Sequence, residues 1–373
     1  MKRKLLFIAM LIVSFLSLAS CANDKKNNNA DTRVFTDLLG REVEIEGTPQ
    51  RVCCIGSGAL RLYSYIGDIE KVCGAEDIER KPGPGTPIRA YKMVYNDYLV
   101  TLPSCGNGGS NAVPDPEKLI SCNPDIVISK ILDVKLMNQL QQQINKPVIC
   151  ISYGNNEAVD EDIIKSLTLI GDIFHYEERA LELTSYIKGM LKELNDLTKE
   201  IKEEDKKSFY IGCYTKKGSQ GFLSTNANYA MFDICNIKNV LAGSGLIGYQ
   251  MLDEEFVFGS LNPDKIIIDG GGLNNLKLEF KKNKENFMAM EAFKNGEVYL
   301  ELPHNGYFTN LELAYANTYY CASIAYPELE FFKSFDIEAK TREILVKFLH
   351  KDIYDDIVKH IGFTYSKIDI ATL

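Results

Sequence analysis

The sequence predicts an α/β protein of two related lobes, each a mostly parallel sheet with helices on both faces, joined by one long helix. Three observations predict it. Strand-length apolar runs alternate with helix-length amphipathic runs in both halves of the 373-residue chain, the pattern of βαβ units. One amphipathic segment, residues 177–202, separates the halves and contains no proline. On either side of it stands the same element, a short helical run, Asn-Pro-Asp and an apolar strand: Glu117 to Ser129 in the first half, Glu255 to Asp269 in the second. The chain therefore divides into a leader (1–20), a tether (21–33), a first lobe (34–172), a connecting helix (173–205) and a second lobe (206–373).

The leader begins with Lys2, Arg3 and Lys4, continues as an apolar run from Leu5 to Leu18 and ends in the small residues Ala19 and Ser20, the three zones of an export signal. The run is shorter than the roughly 20 apolar residues of a spanning helix. Leu18-Ala19-Ser20-Cys21 resembles the bacterial lipobox, which implies that Cys21 is lipidated, becomes the mature N-terminus and holds the protein at the extracytoplasmic face of the cell membrane. Residues 22–32, ANDKKNNNADT, are polar and aperiodic and read as a flexible tether.

Folding is expected to start near Val34. VFTDLLGREVEIEG reads as a hairpin turning at Leu39-Gly40, and RVCCIG as the first buried strand. An apolar-periodic segment from Ala59 to Ile66 and the strand-like KVCGA follow. KPGPGTPIRAYKMVYND reads as a Pro/Gly-rich loop, and PVICIS as a further strand. In the connecting segment Leu183, Ile187, Met190, Leu194, Leu197 and Ile201 recur at three- and four-residue steps, one face of a helix. Beyond it SFYIGCY, KIIIDGG and EVYLEL read as strands, with helices near Tyr229 and after Thr309 and Ile337; Thr309 and Glu312 have capping-box spacing.

Composition excludes several classes. Without the three basic leader residues the formal charge of −9 becomes −12, and no basic stripe offsets it, which argues against a nucleic-acid partner. The nine cysteines after Cys21 (53, 54, 73, 105, 122, 150, 213, 235 and 321) include no C-x-x-C pair, and four lie in apolar strands. Buried free thiols, suited to a reducing habitat, fit this better than a zinc site or a disulfide framework. Four widely spaced histidines do not suit a three-histidine metal site. G-x-S-x-G, H-E-x-x-H and Walker motifs are absent, so no enzyme, cofactor or resident metal is expected.

The order of hairpin, EKLISCNPDIVIS, connecting helix and second lobe, with RAYKMVYND, YTKKGSQGFLSTNANYAMF and PHNGYFTNLELAYANTYYCASIAYPE in place, resembles the substrate-binding proteins of ABC importers for ferric siderophores, haem and cobalamin. The resemblance implies a ligand held between two lobes on a rigid helix, a monomer, a permease and its ATPase as partners, and a cargo that is an iron complex or a tetrapyrrole. It also implies an acidic docking residue on each lobe, which the repeat matches with Glu117 and Glu255, Glu254 being a rival.

In open α/β sheets ligands sit beyond the carboxyl ends of the strands, so the loops after Ile55, Ile128, Tyr214, Asp269 and Leu302 are the ones to watch. They nominate Ser57 between two glycines, Tyr91, Met93 and Tyr95 of the first lobe, and Tyr214, Gln220, Tyr229 and Tyr307 of the second. Their phenol rings suit a catecholate or a tetrapyrrole face. His304 reads either as a loop imidazole bonded to backbone or as an axial ligand of haem or a corrinoid.

Overall fold

The computed structural model describes residues 31–373 except 110, 156 and 217; the leader and Cys21 lie outside the described residues. Strands β1 (Thr32–Thr36) and β2 (Glu42–Glu46) form the expected antiparallel hairpin, its first strand starting two residues before Val34. Its turn is built by Asp37, whose Oδ1 accepts from the backbone N–H groups of Leu39 (2.9 Å) and Arg41 (3.0 Å).

The first lobe is a four-stranded parallel sheet of order β4-β3-β5-β6, from β3 (Val52–Ile55), β4 (Val72–Gly74), β5 (Ile126–Ser129) and β6 (Val148–Cys150). The second has the order β13-β12-β11-β7-β9, from β7 (Ser208–Gly212), β9 (Lys238–Asn239), β11 (Lys265–Asp269), β12 (Val298–Glu301) and an antiparallel edge, β13 (Ser366–Lys367). A small hairpin of β8 (Ser224–Asn226) and β10 (Tyr249–Met251) flanks it. Buried apolar residues fill both faces of the inner strands, as a helix-covered parallel sheet requires.

The two Asn-Pro-Asp elements occupy equivalent places. Each follows a seven-residue helix, Pro116–Cys122 or Glu254–Ser260, and precedes the strand that pairs with the first strand of its lobe. In each the aspartate secures the start of that partner strand. Asp125 Oδ2 accepts from Gln50 N (2.8 Å) and Arg51 N (3.0 Å); Asp264 Oδ2 accepts from Ser208 N (2.7 Å) and Ser208 Oγ (2.8 Å). The same side chain thus satisfies backbone donors ahead of β3 and at the start of β7.

The connecting helix runs Glu177–Thr198, about 33 Å at 1.5 Å per residue. It buries Leu183, Ile187, Met190 and Leu194 and is stitched to both lobes. Arg179 donates to the carbonyl of Tyr65 (2.9 Å) in the first lobe and that of Lys347 (2.6 Å) in the second, and Glu193 accepts from the Tyr319 hydroxyl (2.5 Å).

Two local expectations fail. The stretch read as one long loop contains the helix Ala90–Leu99, because its breakers end at Pro87 and Arg89 starts the helix from an extended conformation. Thr309 and Glu312 form no capping box: Asn310 is the N-cap, and Glu312 is fully buried with its carboxylate accepting from the Tyr65 hydroxyl. A cross-lobe partner outcompetes the local one.

Candidate functional site: the cleft between the lobes

The carboxyl ends of the two sheets face one another. In the first lobe β3 runs into Gly56-Ser57-Gly58, where Gly56 (φ 86°) and Gly58 (φ 90°) take a left-handed backbone that favours glycine. Gly58 also has no room for a side chain, since a Cβ there would lie 2.8 Å from the Tyr153 ring. It is the N-cap of helix Ala59–Ile66, whose first turn has no side-chain cap and whose Ala59 N donates back to the Gly56 carbonyl (3.1 Å). Lys130 follows β5 directly. Its ammonium rests 3.5 Å from the centre of the Phe308 ring, which packs 4.5 Å from that of Tyr153.

In the second lobe Asp269, at the end of β11, accepts from Thr215 N (2.9 Å) and Thr215 Oγ1 (2.6 Å), fixing the loop that carries Tyr214 and Lys216. Lys216 comes close enough to Lys130 to act on it electrostatically. Burial first, and the Lys216 charge second, push Lys130 down to about 8. Among the described residues neither lysine has an ion-pair partner. Two cations from opposite lobes beside an uncapped helix N-terminus form a site whose unmet need is negative charge.

A loop of the second lobe, Pro303–Thr309, crosses into the first. Arg61 donates to the carbonyls of Gly306 (2.5 Å) and Tyr307 (3.2 Å). The Tyr307 hydroxyl donates to Glu76 Oε2 (2.7 Å) and accepts from Gly109 N (2.9 Å). Glu76 Oε1 accepts from Gly56 N (3.0 Å), so one carboxylate joins the crossing loop to the strand end beside Ser57. Burial pushes that carboxyl up to about 7, its two hydrogen bonds opposing the shift. Tyr307 (φ 53°) and Phe308 (φ 78°) are both left-handed, and a Cβ on Gly306 would strike the Ile88 carbonyl at 2.1 Å.

The nominated residues divide. Ser57 and Gln220 are half-buried at the strand ends. Tyr214, Tyr229 and His304 form one cluster, ring centres 5.9 to 6.1 Å apart, with the Tyr229 hydroxyl donating to Glu301 (2.7 Å). His304 is 1 % exposed, 3.5 Å from Glu301 and 3.3 Å from Asn317, and offers no open face in this conformation. Tyr91, Met93 and Tyr95 stand on helix Ala90–Leu99: Tyr91 is fully buried, donating to Glu79 and covered by Arg61, while Met93 and Tyr95 are half-buried against the core. Tyr307 spends its hydroxyl on the lobe contact. Lys130, Lys216, Glu76 and Phe308 were not nominated. The strand-end rule points to the loops of the two lysines, but within those loops the sequence distinguishes only the tyrosines.

Glu117 and Glu255 are both exposed and both second in their seven-residue helices, the one-residue offset being absorbed by Leu261 after the second helix. Glu254 instead accepts from Asn283 (3.3 Å) and Asn286 (3.0 Å).

Two parallel α/β lobes on one helix, with opposed strand ends at a charged cleft, define a binding protein. The family described as "Periplasmic binding protein" matches residues 84–302, and the chain belongs to it. An uncharacterized ABC transporter substrate-binding lipoprotein, YvrC of Bacillus subtilis (strain 168), is 24% identical over 314 residues, 80% of this chain and 90% of that protein. Among solved structures, a periplasmic solute binding protein from Veillonella parvula DSM 2008 superposes with a TM-score of 0.68 at 18% identity, over 89% of this chain and 97% of that one. The molybdate-bound periplasmic binding protein MolA of Haemophilus influenzae superposes at 0.63 and 18%, over 86% and 98%. The protein is accordingly an ABC transporter substrate-binding protein, a role that entails a permease and an ATPase as partners.

Proposed function

We propose that the protein captures an anionic iron complex of the ferric siderophore class in its cleft and hands it to the permease from a lipid anchor on Cys21. The observation that carries this reading is the Lys130–Lys216 pair, one cation from each lobe, with Lys130 beside the start of helix Ala59–Ile66. An anion there would relieve the like-charge repulsion and lie near the positive end of a helix dipole. A structural neighbour that binds molybdate supports an anionic cargo, and relatives that are lipoproteins support the anchor. No helix among the described residues is long and apolar enough to cross a membrane. Glu117 and Glu255, exposed at matching helix starts, are the docking pair for the permease.

With 20 tyrosines and no tryptophan, tyrosine fluorescence reports binding. Titration with a ferric tris-catecholate should quench it, and Lys130→Gln or Lys216→Gln should each weaken the affinity about tenfold, or 1.4 kcal/mol. Because Lys130 loses its proton near pH 8, wild-type affinity should fall above that pH. Affinity unchanged within twofold in both variants overturns the reading. Haem binding that survives both changes and is lost in His304→Ala would establish a tetrapyrrole carrier instead.

A further inference from the structure

Four of the nine described thiols converge in the first lobe, away from the cleft lysines. Cys53 on β3, Cys73 on β4, Cys105, and Cys122 at the end of helix Pro116–Cys122 gather beside Gly74, and all are free. Cys53 Sγ is 3.7 Å from Cys73 Sγ, and Cys105 and Cys122 are close enough to act on it electrostatically. Gly74 allows the crowding: a Cβ there would lie 2.5 Å from Cys122 Sγ and 3.1 Å from Cys53 Sγ. Cys53, Cys105 and Cys122 are buried, whereas Cys73 is half-buried and gives the group its opening. The strand register supplies slack. Val52 faces Val72 but Cys53 faces Gly74, so Cys73 is the extra residue of a bulge.

We propose that Cys73 and Cys53 form an oxidisable dithiol that small disulfides enter through Cys73. A disulfide needs its sulfurs about 2.05 Å apart, so the present gap must close by roughly 1.7 Å, within reach of side-chain rotation at an irregular strand position. The Cys73 thiolate attacks one sulfur of a disulfide RSSR; a Cys73–S–S–R bond forms, and RS⁻ leaves and takes up the proton that Cys73 released. Cys53 then gives up its proton and attacks the Cys73 sulfur, forming the Cys53–Cys73 bond and expelling the second RSH. Two protein thiols are oxidised and one RSSR is reduced to two RSH. The hydrogen bond from Cys53 holds the Cys73 thiol below its ordinary range, Arg51 acting in the same direction against burial. Cys54 packs on the other face of the sheet, and Cys150 is turned to Arg41 (3.5 Å). The bond would clamp β3 to β4 just behind Gly56 and Glu76.

The test is a peptide map of the full-length protein, incubated natively with oxidised glutathione, then denatured, treated with iodoacetamide and digested with trypsin. Peptides 52–61 and 72–80 should appear joined by a disulfide, in the wild type and equally in Cys54→Ser, and separate in Cys53→Ser. Alkylation of both Cys53 and Cys73, a glutathione adduct on Cys73 that never resolves, or a link from 72–80 to Cys122 would each overturn the proposal. The wild-type and Cys54→Ser maps decide the matter even if Cys53→Ser does not fold.

Discussion

The first lobe orders its strands β4-β3-β5-β6, and the second repeats that order as β9-β7-β11-β12 before adding β13. In both, an Asn-Pro-Asp aspartate secures the backbone where the partner strand begins. The cores against these sheets differ. Beneath helices Pro116–Cys122 and Val134–Ile144 the first lobe packs Cys53, Cys105, Cys122 and Cys150 with aliphatic residues; beneath Glu254–Ser260 and Leu273–Lys282 the second packs Phe222, Phe280, Phe287 and Phe293. Volume can be supplied by thiols or by rings, but a backbone N–H at a strand start needs an acceptor oxygen in one place. That is why the turn repeats and the packing does not.

The largest effect that tests this contrast is in the cores. Phe222→Ala, which removes a ring packed on Tyr210, Phe258, Phe287 and Phe293, should cost about 3–5 kcal/mol in urea unfolding, against roughly 1 kcal/mol for Cys122→Ala. Equal losses would mean that the two cores are not packed differently in any way that matters.

Glu76, which bridges the lobes, comes next. Its folded pKa of about 7 lies above its ordinary 4.5, so the folded state holds the extra proton between those values and stability falls as pH rises from 4.5 through 7. Glu76→Gln should remove about 3 kcal/mol of the wild-type change between pH 4.5 and 7, measured as unfolding free energy against pH. A parallel pH profile in the variant would remove Glu76 from the lobe contact.

Smaller still, Asp125→Ala and Asp264→Ala should each cost about 1 kcal/mol, the loss of paired backbone hydrogen bonds. If one is silent, the repeat is a likeness of sequence without a shared task. Last, Glu117→Lys and Glu255→Lys should move stability by about 0.5 kcal/mol or less, as exposed helix-start residues do. Ligand affinity should stay unchanged in the double variant while uptake by cells falls; normal uptake would take the docking role from this pair.

What could be read from the chain follows the same division. Strand alternation, the connecting helix and the Asn-Pro-Asp turn are local signals, set by apolar period and by a proline that forbids helix, and they placed the sheets correctly. The helix Ala90–Leu99 was hidden by the prolines and glycines just before it, whose influence ends at Pro87. Glu312 had the spacing of a cap, but spacing carries no information about Tyr65, 247 positions away. Lys130 and Lys216 were beyond reach for a similar reason, since a lysine after a strand becomes informative only when a second one faces it across a gap. Tyrosines, conspicuous in sequence, proved mostly to be core residues with their hydroxyls already engaged.

The connecting helix, tied by Arg179 to a carbonyl of each lobe, also bears on the kinetics of capture. A receptor that closed like a jaw would trap its cargo and release it at the rate of its own opening. Both lobes are pinned to one rod and a loop of the second is seated in the first, contacts that a closing motion would have to break. If those contacts hold when cargo enters, occupancy should follow its supply almost as fast as diffusion delivers it.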